Sequence, residues 1–165
     1  MMLRATTVRG GQALPDHLAL NDVVITKAAL SRIIELSVSI GPDRVMQVRA
    51  DGLIVATPTG STAYNLAAGG PIVQPVVDAL LLTPIAPHML TNRPLVVTGT
   101  STISVEPDMN ANDEVFVTFD GQSGHALQAE DVVTIERATR PLCLVRSAQR
   151  SYFDVLKQKL KWGER

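Results

Sequence analysis

Short runs rich in Val, Ile, Leu and Thr, each closed by Gly, Pro, Asp or Asn, recur along most of this 165-residue chain. Nineteen Val and fourteen Thr stand against six aromatic residues. β-Branched side chains pack well on a pleated strand and lose rotamer freedom in a helix, so such runs predict strands. Strands are expected over residues 18–26, entered from a Pro15-Asp16 turn, and 32–40, where Ile34, Leu36 and Val38 alternate with Glu35, Ser37 and Ser39. Gly41-Pro42-Asp43 reads as a tight turn into 44–50, a run in which Val45 and Val48 fall out of step. Asp51-Gly52 reads as a hairpin turn into 53–57, since Gly takes positive φ at little cost. Further strands are expected over 80–85, 95–97, 102–106, 114–119 and 132–137. Asp120-Gly121-Gln122 turns a hairpin that returns through 125–128.

Two helices fit the remainder. One is short, about 61–68, begun by Thr59-Gly60-Ser61. The other covers 151–161, with Ser151 as N-cap, Asp154 placed for a capping box, and Phe153, Leu156 and Leu160 as an apolar stripe. Gly163 ends it and Trp162 packs it down. No repeat, low-complexity tract or linker interrupts the chain. The expectation is one mainly β domain over 1–165, built of packed antiparallel sheets. A short helix follows the Thr/Gly-rich turn and a second helix closes the chain.

Fifteen Lys and Arg against sixteen Asp and Glu give a formal charge of −1. This argues against a protein whose main business is electrostatic binding of nucleic acid or an anionic membrane. No stretch approaches the roughly 18 apolar residues of a membrane helix, and residues 1–9 are too short and polar for a signal peptide. The one cysteine, Cys143, fits a reducing cytoplasm and, between Leu142 and Leu144, reads as a small buried hydrophobe. His17, His88 and His125 show no metal-ligand spacing. Residues 106–136 hold eight acidic and no basic side chains, whereas 146–165 hold six basic ones against Asp154 and Glu164. Solvated hairpins and an exposed amphipathic helix account for this; an acidic lobe docking a neighbour's basic tail is the alternative.

Chemistry concentrates in residues 51–71. A strand runs into Thr57-Pro58-Thr59-Gly60-Ser61-Thr62, then a small-residue helix, then Gly69-Gly70-Pro71. Such a turn suits an anion or nucleotide: Gly60 permits close backbone approach, hydroxyls donate, and the helix start offers free N–H groups. Ala63, Ala67 and Ala68 leave room for a planar ring that Tyr64 can cover. A purely structural helix held by a Ser/Thr-rich turn fits equally well. It is not a P-loop, because no Gly-Lys-Ser/Thr follows. Asn21-Asp22 places an amide and a carboxylate inside an apolar run, where one must turn inward and find partners. A ribose diol would satisfy both, as would solvent on an edge strand. Arg49 and Asp51 flank Ala50 and share a face, as a surface ion pair or as a phosphate clamp beside a ribose-binding carboxylate.

From about residue 4 to the end, these segments resemble the C-terminal half of the NAD kinase family. Residues 19–24 look like its Asn-Glu/Asp motif and 51–65 like its Thr/Gly-rich signature. Residues 69–73, 80–88 and 92–96, Phe119-Asp120-Gly121-Gln122, and the terminal Tyr152, Leu156, Leu160 and Trp162 continue the pattern. The resemblance implies phosphoryl transfer from ATP, or polyphosphate, to the adenosine-ribose 2′-hydroxyl of NAD, giving NADP. A divalent metal such as Mg would accompany the nucleotide. It implies NAD contacts from Asn21 and Asp22, with Asp22 on ribose hydroxyls. Arg49 would meet a phosphate, within its own subunit or across the interface of a homo-oligomer, and Asp51 the nicotinamide end. Thr59 and Thr62, Ala63, Tyr64, Asn65, Leu66 and Ala67 would line the adenine and ribose pocket. Ala86 and Gln122 would edge it, with Arg32 and Asp120 further contact positions.

The family's Gly-Gly-Asp-Gly-Thr motif, which carries the base, has no counterpart: Gly10-Gly11 is followed by Gln12. No catalytic residue is therefore expected in this chain, and the base should come from an N-terminal domain in cis or in trans. The rival readings are a non-catalytic nucleotide-binding or oligomerisation module on the same fold, and the distantly related lipid kinases.

Overall fold

Where the sequence alternates, the backbone buries every second side chain. A computed structural model of the chain describes residues 1–29, 32–89, 91–110, 113–145 and 150–162. In chain order its strands are β1 (Leu3–Arg9), β2 (Gln12–Ala13), β3 (His17–Ala19), β4 (Asp22–Lys27), β5 (Ile34–Ile40), β6 (Asp43–Ala50) and β7 (Gly52–Ala56). They continue with β8 (Ala79–Ile85), β9 (Leu95–Thr98), β10 (Ile103–Asp108), β11 (Val115–Phe119), β12 (Ser123–Ala126) and β13 (Val132–Arg137). All pairings are antiparallel, in two sheets. One has the order β2-β1-β13-β10-β5-β6, with β3 also on β1; the other is β12-β11-β4-β7-β8-β9.

The main core lies between the sheets. Ile34, Leu36 and Val38 of β5 face Leu53 and Val55 of β7 and their neighbours in one apolar cluster. A smaller cluster of Val24, Ile54, Ala56 and Leu81 occupies the other face of the second sheet, where Ala68 and Val73 cover it. Strands β7 and β8 are thus covered on both faces, which is why Gly-Leu-Ile-Val-Ala and Ala-Leu-Leu-Leu-Thr-Pro-Ile are near-continuous apolar runs.

Several expectations are refined. The Val45–Val48 irregularity is a β-bulge: Val38 pairs with Met46 and Ser39 with Arg44, leaving Val45 extra and exposed. Residues 18–26 are not one strand; β3 ends at Ala19 in the first sheet and β4 begins at Asp22 in the second. Asp51-Gly52 does not turn a hairpin either, because β6 and β7 belong to different sheets. Gly52 is needed for close approach, since a Cβ there would lie 2.4 Å from the Ile25 carbonyl oxygen. β1 escapes the pattern reading, because its inward positions are Leu3, Ala5 and Thr7, only one of them large and apolar. Cys143 is exposed, not buried.

The C-terminal helix α2 spans Tyr152–Leu160 and starts on the expected capping box, Ser151 with Asp154. Only Leu156 is buried in it; Phe153 and Trp162 are exposed, so neither packs the helix down. Gly163 lies outside the described residues, and Lys161 at φ 52° closes the last turn. Ser151→Ala should cost about 1 kcal/mol of local stability, read as faster amide exchange at residues 152–155 with the sheets unaffected. Among the described residues no helix is long and apolar enough to cross a membrane.

Candidate functional site

The two polar segments singled out above meet on the outer face of the second sheet. Thr57 follows β7 beside the crossover: its N–H donates to the Asn21 carbonyl at 2.9 Å. Its hydroxyl donates to the Leu20 carbonyl at 2.7 Å and accepts the Gly60 N–H at 3.0 Å. Gly60 presses so closely on Asn21 that a Cβ would fall 2.0 Å from the Asn21 carbonyl oxygen. The glycine serves this approach between two chain segments, not the approach of a ligand expected from the sequence.

The hydroxyls likewise face inward. The Ser61 hydroxyl donates to the Pro58 carbonyl at 2.6 Å and accepts the Val73 N–H at 3.0 Å. Asn65 is fully buried: its amide donates to the Ser61 and Pro71 carbonyls, and its oxygen accepts the Thr83 hydroxyl at 2.7 Å. These bonds hold the segment as a roof over the small apolar cluster. Its helical part is one 3₁₀ turn, Gly60–Thr62, then the single turn α1 (Tyr64–Ala67), broken at Ala63. So short an element has no helix dipole to offer an anion, and that part of the expectation falls.

Beside the roof is a cavity of about 370 Å³, within the range of small-molecule sites. Asp22, Val24, Thr26 and Thr118 line it from the sheet, Asn21 from the crossover, Asp120 from the β11–β12 turn, and Ala63 and Tyr64 from the roof. The Asp22 carboxyl is buried there, and burial, with the neighbouring Asp120 charge adding to it, pushes its pKa up to about 6. The cavity thus offers an amide, a carboxyl that changes charge near neutrality, and a half-exposed phenol beside small residues.

Other expected positions sit elsewhere. Arg49 and Asp51 do not pair with each other; Arg49 pairs with Glu35 at 3.1 Å and Asp51 with Lys27 at 3.7 Å. Both lie with Ala86 at the β6–β7 bend, where the Asp51 N–H donates to the Ile85 carbonyl and the His88 N–H to the Arg49 carbonyl. That bend adjoins the Thr26 end of the cavity, since the Thr26 hydroxyl donates to the Asp51 carbonyl at 3.0 Å. Gln122 lines a shallower groove that shares Thr118 and Gly121 with the cavity. Thr59, Thr62 and Leu66 are half-buried, Ala67 and Arg32 are exposed, and these five do not line the cavity. The carbonyl of Thr62 accepts Lys159 of α2 at 2.8 Å. Val24, Thr26 and Thr118 were not singled out from sequence. Their signal was strand parity, because each is out of phase with the inward-facing Val23, Ile25, Val117 and Phe119.

The sequence matches the family model of the ATP-NAD kinase C-terminal domain over residues 20–147. The chain belongs to this family. All 165 residues align with "NAD kinase" of Geotalea daltonii at 49% identity and of Syntrophotalea carbinolica at 51%. In each case the chain spans 58% of the relative's length. The fold of the family domain agrees with a solved structure of yeast NADH kinase complexed with NADH, at a TM-score of 0.89 and 25% identity over 99% of this chain and 50% of that one. An NAD kinase from Archaeoglobus fulgidus in complex with ATP superposes at 0.69, with 31% identity over 83% of this chain and 51% of that one.

Proposed function

We propose that this domain supplies the NAD-binding part of an NAD kinase site, with the adenosine ribose held at Asn21 and Asp22. The observation that carries the reading is that the Asn21-Asp22 crossover and the 57–64 bend bound one cavity. Ribose hydroxyls donate to the ionised Asp22, the Asn21 amide serves either role, and Tyr64 covers the base. Asp22 and Thr26 lie four residues apart on β4, about 13 Å. A dinucleotide laid along that strand would carry its second nucleotide toward Asp51. In this reading Arg49 meets a phosphate, and Ala86, Gln122, Thr59, Thr62, Leu66 and Ala67 edge the bound molecule.

The phosphoryl donor is ATP or polyphosphate, and the acceptor is the 2′-hydroxyl. Such transfer depends mainly on positioning and charge stabilisation. The base would come from a Gly-Gly-Asp-Gly-Thr segment in cis or in trans. Among the described residues no group of three or more His, Cys, Asp or Glu could hold a metal. The divalent ion in this reading therefore travels on the donor's phosphates. The protein would work in the cytoplasm as a homo-oligomer.

Titration of the isotope-labelled chain with NAD, NADP and ATP tests the reading. NAD should shift the amides of Asn21, Asp22, Ala63 and Tyr64; no perturbation at millimolar NAD would remove it. Tyr64→Ala should weaken NAD roughly three- to tenfold through lost stacking and leave Tm unchanged, since the ring is half exposed. A collapse of Tm instead would make Tyr64 a packing residue.

A further inference from the structure

The turn between β11 and β12 does more than edge the cavity. Asp120 and Gly121 take positive φ, 51° and 64°, which brings the Asp120 carboxylate to the crossover between the two sheets. It accepts three consecutive backbone N–H groups there: Leu20 on Oδ2 at 2.7 Å, Asn21 on Oδ1 at 2.7 Å and Asp22 on Oδ1 at 3.0 Å. The Asp120 N–H returns a bond to the Asp22 carbonyl at 3.0 Å. Next to it, Phe119 stacks on His17 of β3, three residues ahead of Leu20, with centroids 4.1 Å apart and planes within 6°. The hairpin therefore grips the crossover twice, once by stacking and once by a charged acceptor.

We infer that Asp120 is a positioning residue: by fixing the backbone of Leu20, Asn21 and Asp22 it presents the Asn21 and Asp22 side chains to the cavity. It acts through them, since three of the carboxylate's roughly four acceptor positions are taken by these amides. The inference rests on the proposed dinucleotide site for its consequence, though the grip itself does not.

Amides leaving one sheet for another have no ladder partners, and a buried N–H without an acceptor is costly. A carboxylate can take all three because it carries only acceptors. An asparagine has one acceptor oxygen and turns an NH2 toward the remaining amide. Asp120 also contributes the charge next to Asp22. Among the described residues lining the cavity, Asp120 from the β11–β12 turn and Tyr64 from α1 are the titratable groups that share it with Asp22.

The test is Asp120→Asn in the full chain, followed by NMR without ligand and, separately, with NAD. Amide exchange at Leu20, Asn21 and Asp22 should quicken roughly tenfold or more, while core amides such as Leu53 stay protected. The Asp22 titration midpoint should fall, a change that mere loosening of structure would not produce, and NAD affinity should drop roughly tenfold. Unchanged exchange at the three amides with an unchanged Asp22 midpoint overturns the inference. A parent chain that ignores NAD would sink the proposed function, while the ligand-free measurements still decide on Asp120. Should the variant not fold, scalar couplings across the hydrogen bonds of the parent decide. Couplings from the three amides to the Asp120 carboxylate carbon support the inference, and their absence overturns it.

Discussion

Gly60→Ala is expected to lower stability by about 3 kcal/mol, the upper end for overpacking a close contact. For a chain of this size that is about 6–12 °C in Tm. The new Cβ would sit 2.0 Å from the Asn21 carbonyl oxygen, 2.5 Å from its carbon and 2.7 Å from its Cα. All three are backbone atoms, so no rotamer change can relieve the clash. Neither segment is free to withdraw. Asn21 is held through its N–H by Asp120 and through its carbonyl by the Thr57 N–H. The bend is held by Thr57 accepting the Gly60 N–H. Relief therefore requires breaking those bonds, and NAD affinity should fall with stability because Asn21 moves. Gly41→Ala is the control: its Cβ would meet nothing within 4 Å, and only its φ of +55° resists, about 1–2 kcal/mol. Thermal denaturation of both variants checks this. Equal losses would mean that the Gly60 contact relaxes freely.

The strands were legible because their information is local. A period of two in Ile34–Ile40 and unbroken apolar runs in β7 and β8 each report which faces are covered. Even the faulty alternation of β6 was informative, since a bulge is what an extra residue does to a ladder. What escaped was non-local. Residues 18–26 look continuous, but the amides at the break, Leu20 and Asn21, find their acceptor in Asp120, a hundred residues later. Asp51-Gly52 has hairpin chemistry, yet its neighbours pair in different sheets. β1 buries an alanine and a threonine where a reader looks for large apolar side chains.

The site divides along the same line. That the amide–carboxylate pair and the hydroxyl-rich bend belong together was legible, because each is polar chemistry set in an apolar context that demands partners. Which atoms face the cavity was not. Hydroxyls of Thr57 and Ser61 and the amide of Asn65 bond to backbone a few residues or a whole strand away, which residue type alone does not show. The cavity wall instead takes Val24, Thr26 and Thr118 from strand faces, and only the pairing of β4 with β11 reveals that they share one side.

Asp22→Asn should make the folded chain more stable above neutral pH and, at once, a poorer binder. Asp22 is 4% exposed, and burial first, then the Asp120 charge, pushes its pKa up to about 6 from an ordinary 3.8. Between those values the folded chain binds a proton that the unfolded chain has released. Stability therefore falls as pH rises through that window and stays lower above it, by up to about 3 kcal/mol. A neutral amide escapes this cost, so the variant should gain Tm by up to about 6–12 °C at pH 8 and little at pH 4. Its NAD affinity should drop about ten- to a hundredfold, because ribose hydroxyls lose a charged acceptor. In the parent, affinity should climb from pH 5 to pH 7 as Asp22 ionises; in the variant it should be flat. Paired thermal melts and NAD titrations across that range check all three. A carboxyl with a pKa raised by burial, set in a cavity, is the kind of group found at functional sites. A variant that is neither stabilised at pH 8 nor impaired in binding would take Asp22 out of the site and the proposed function with it.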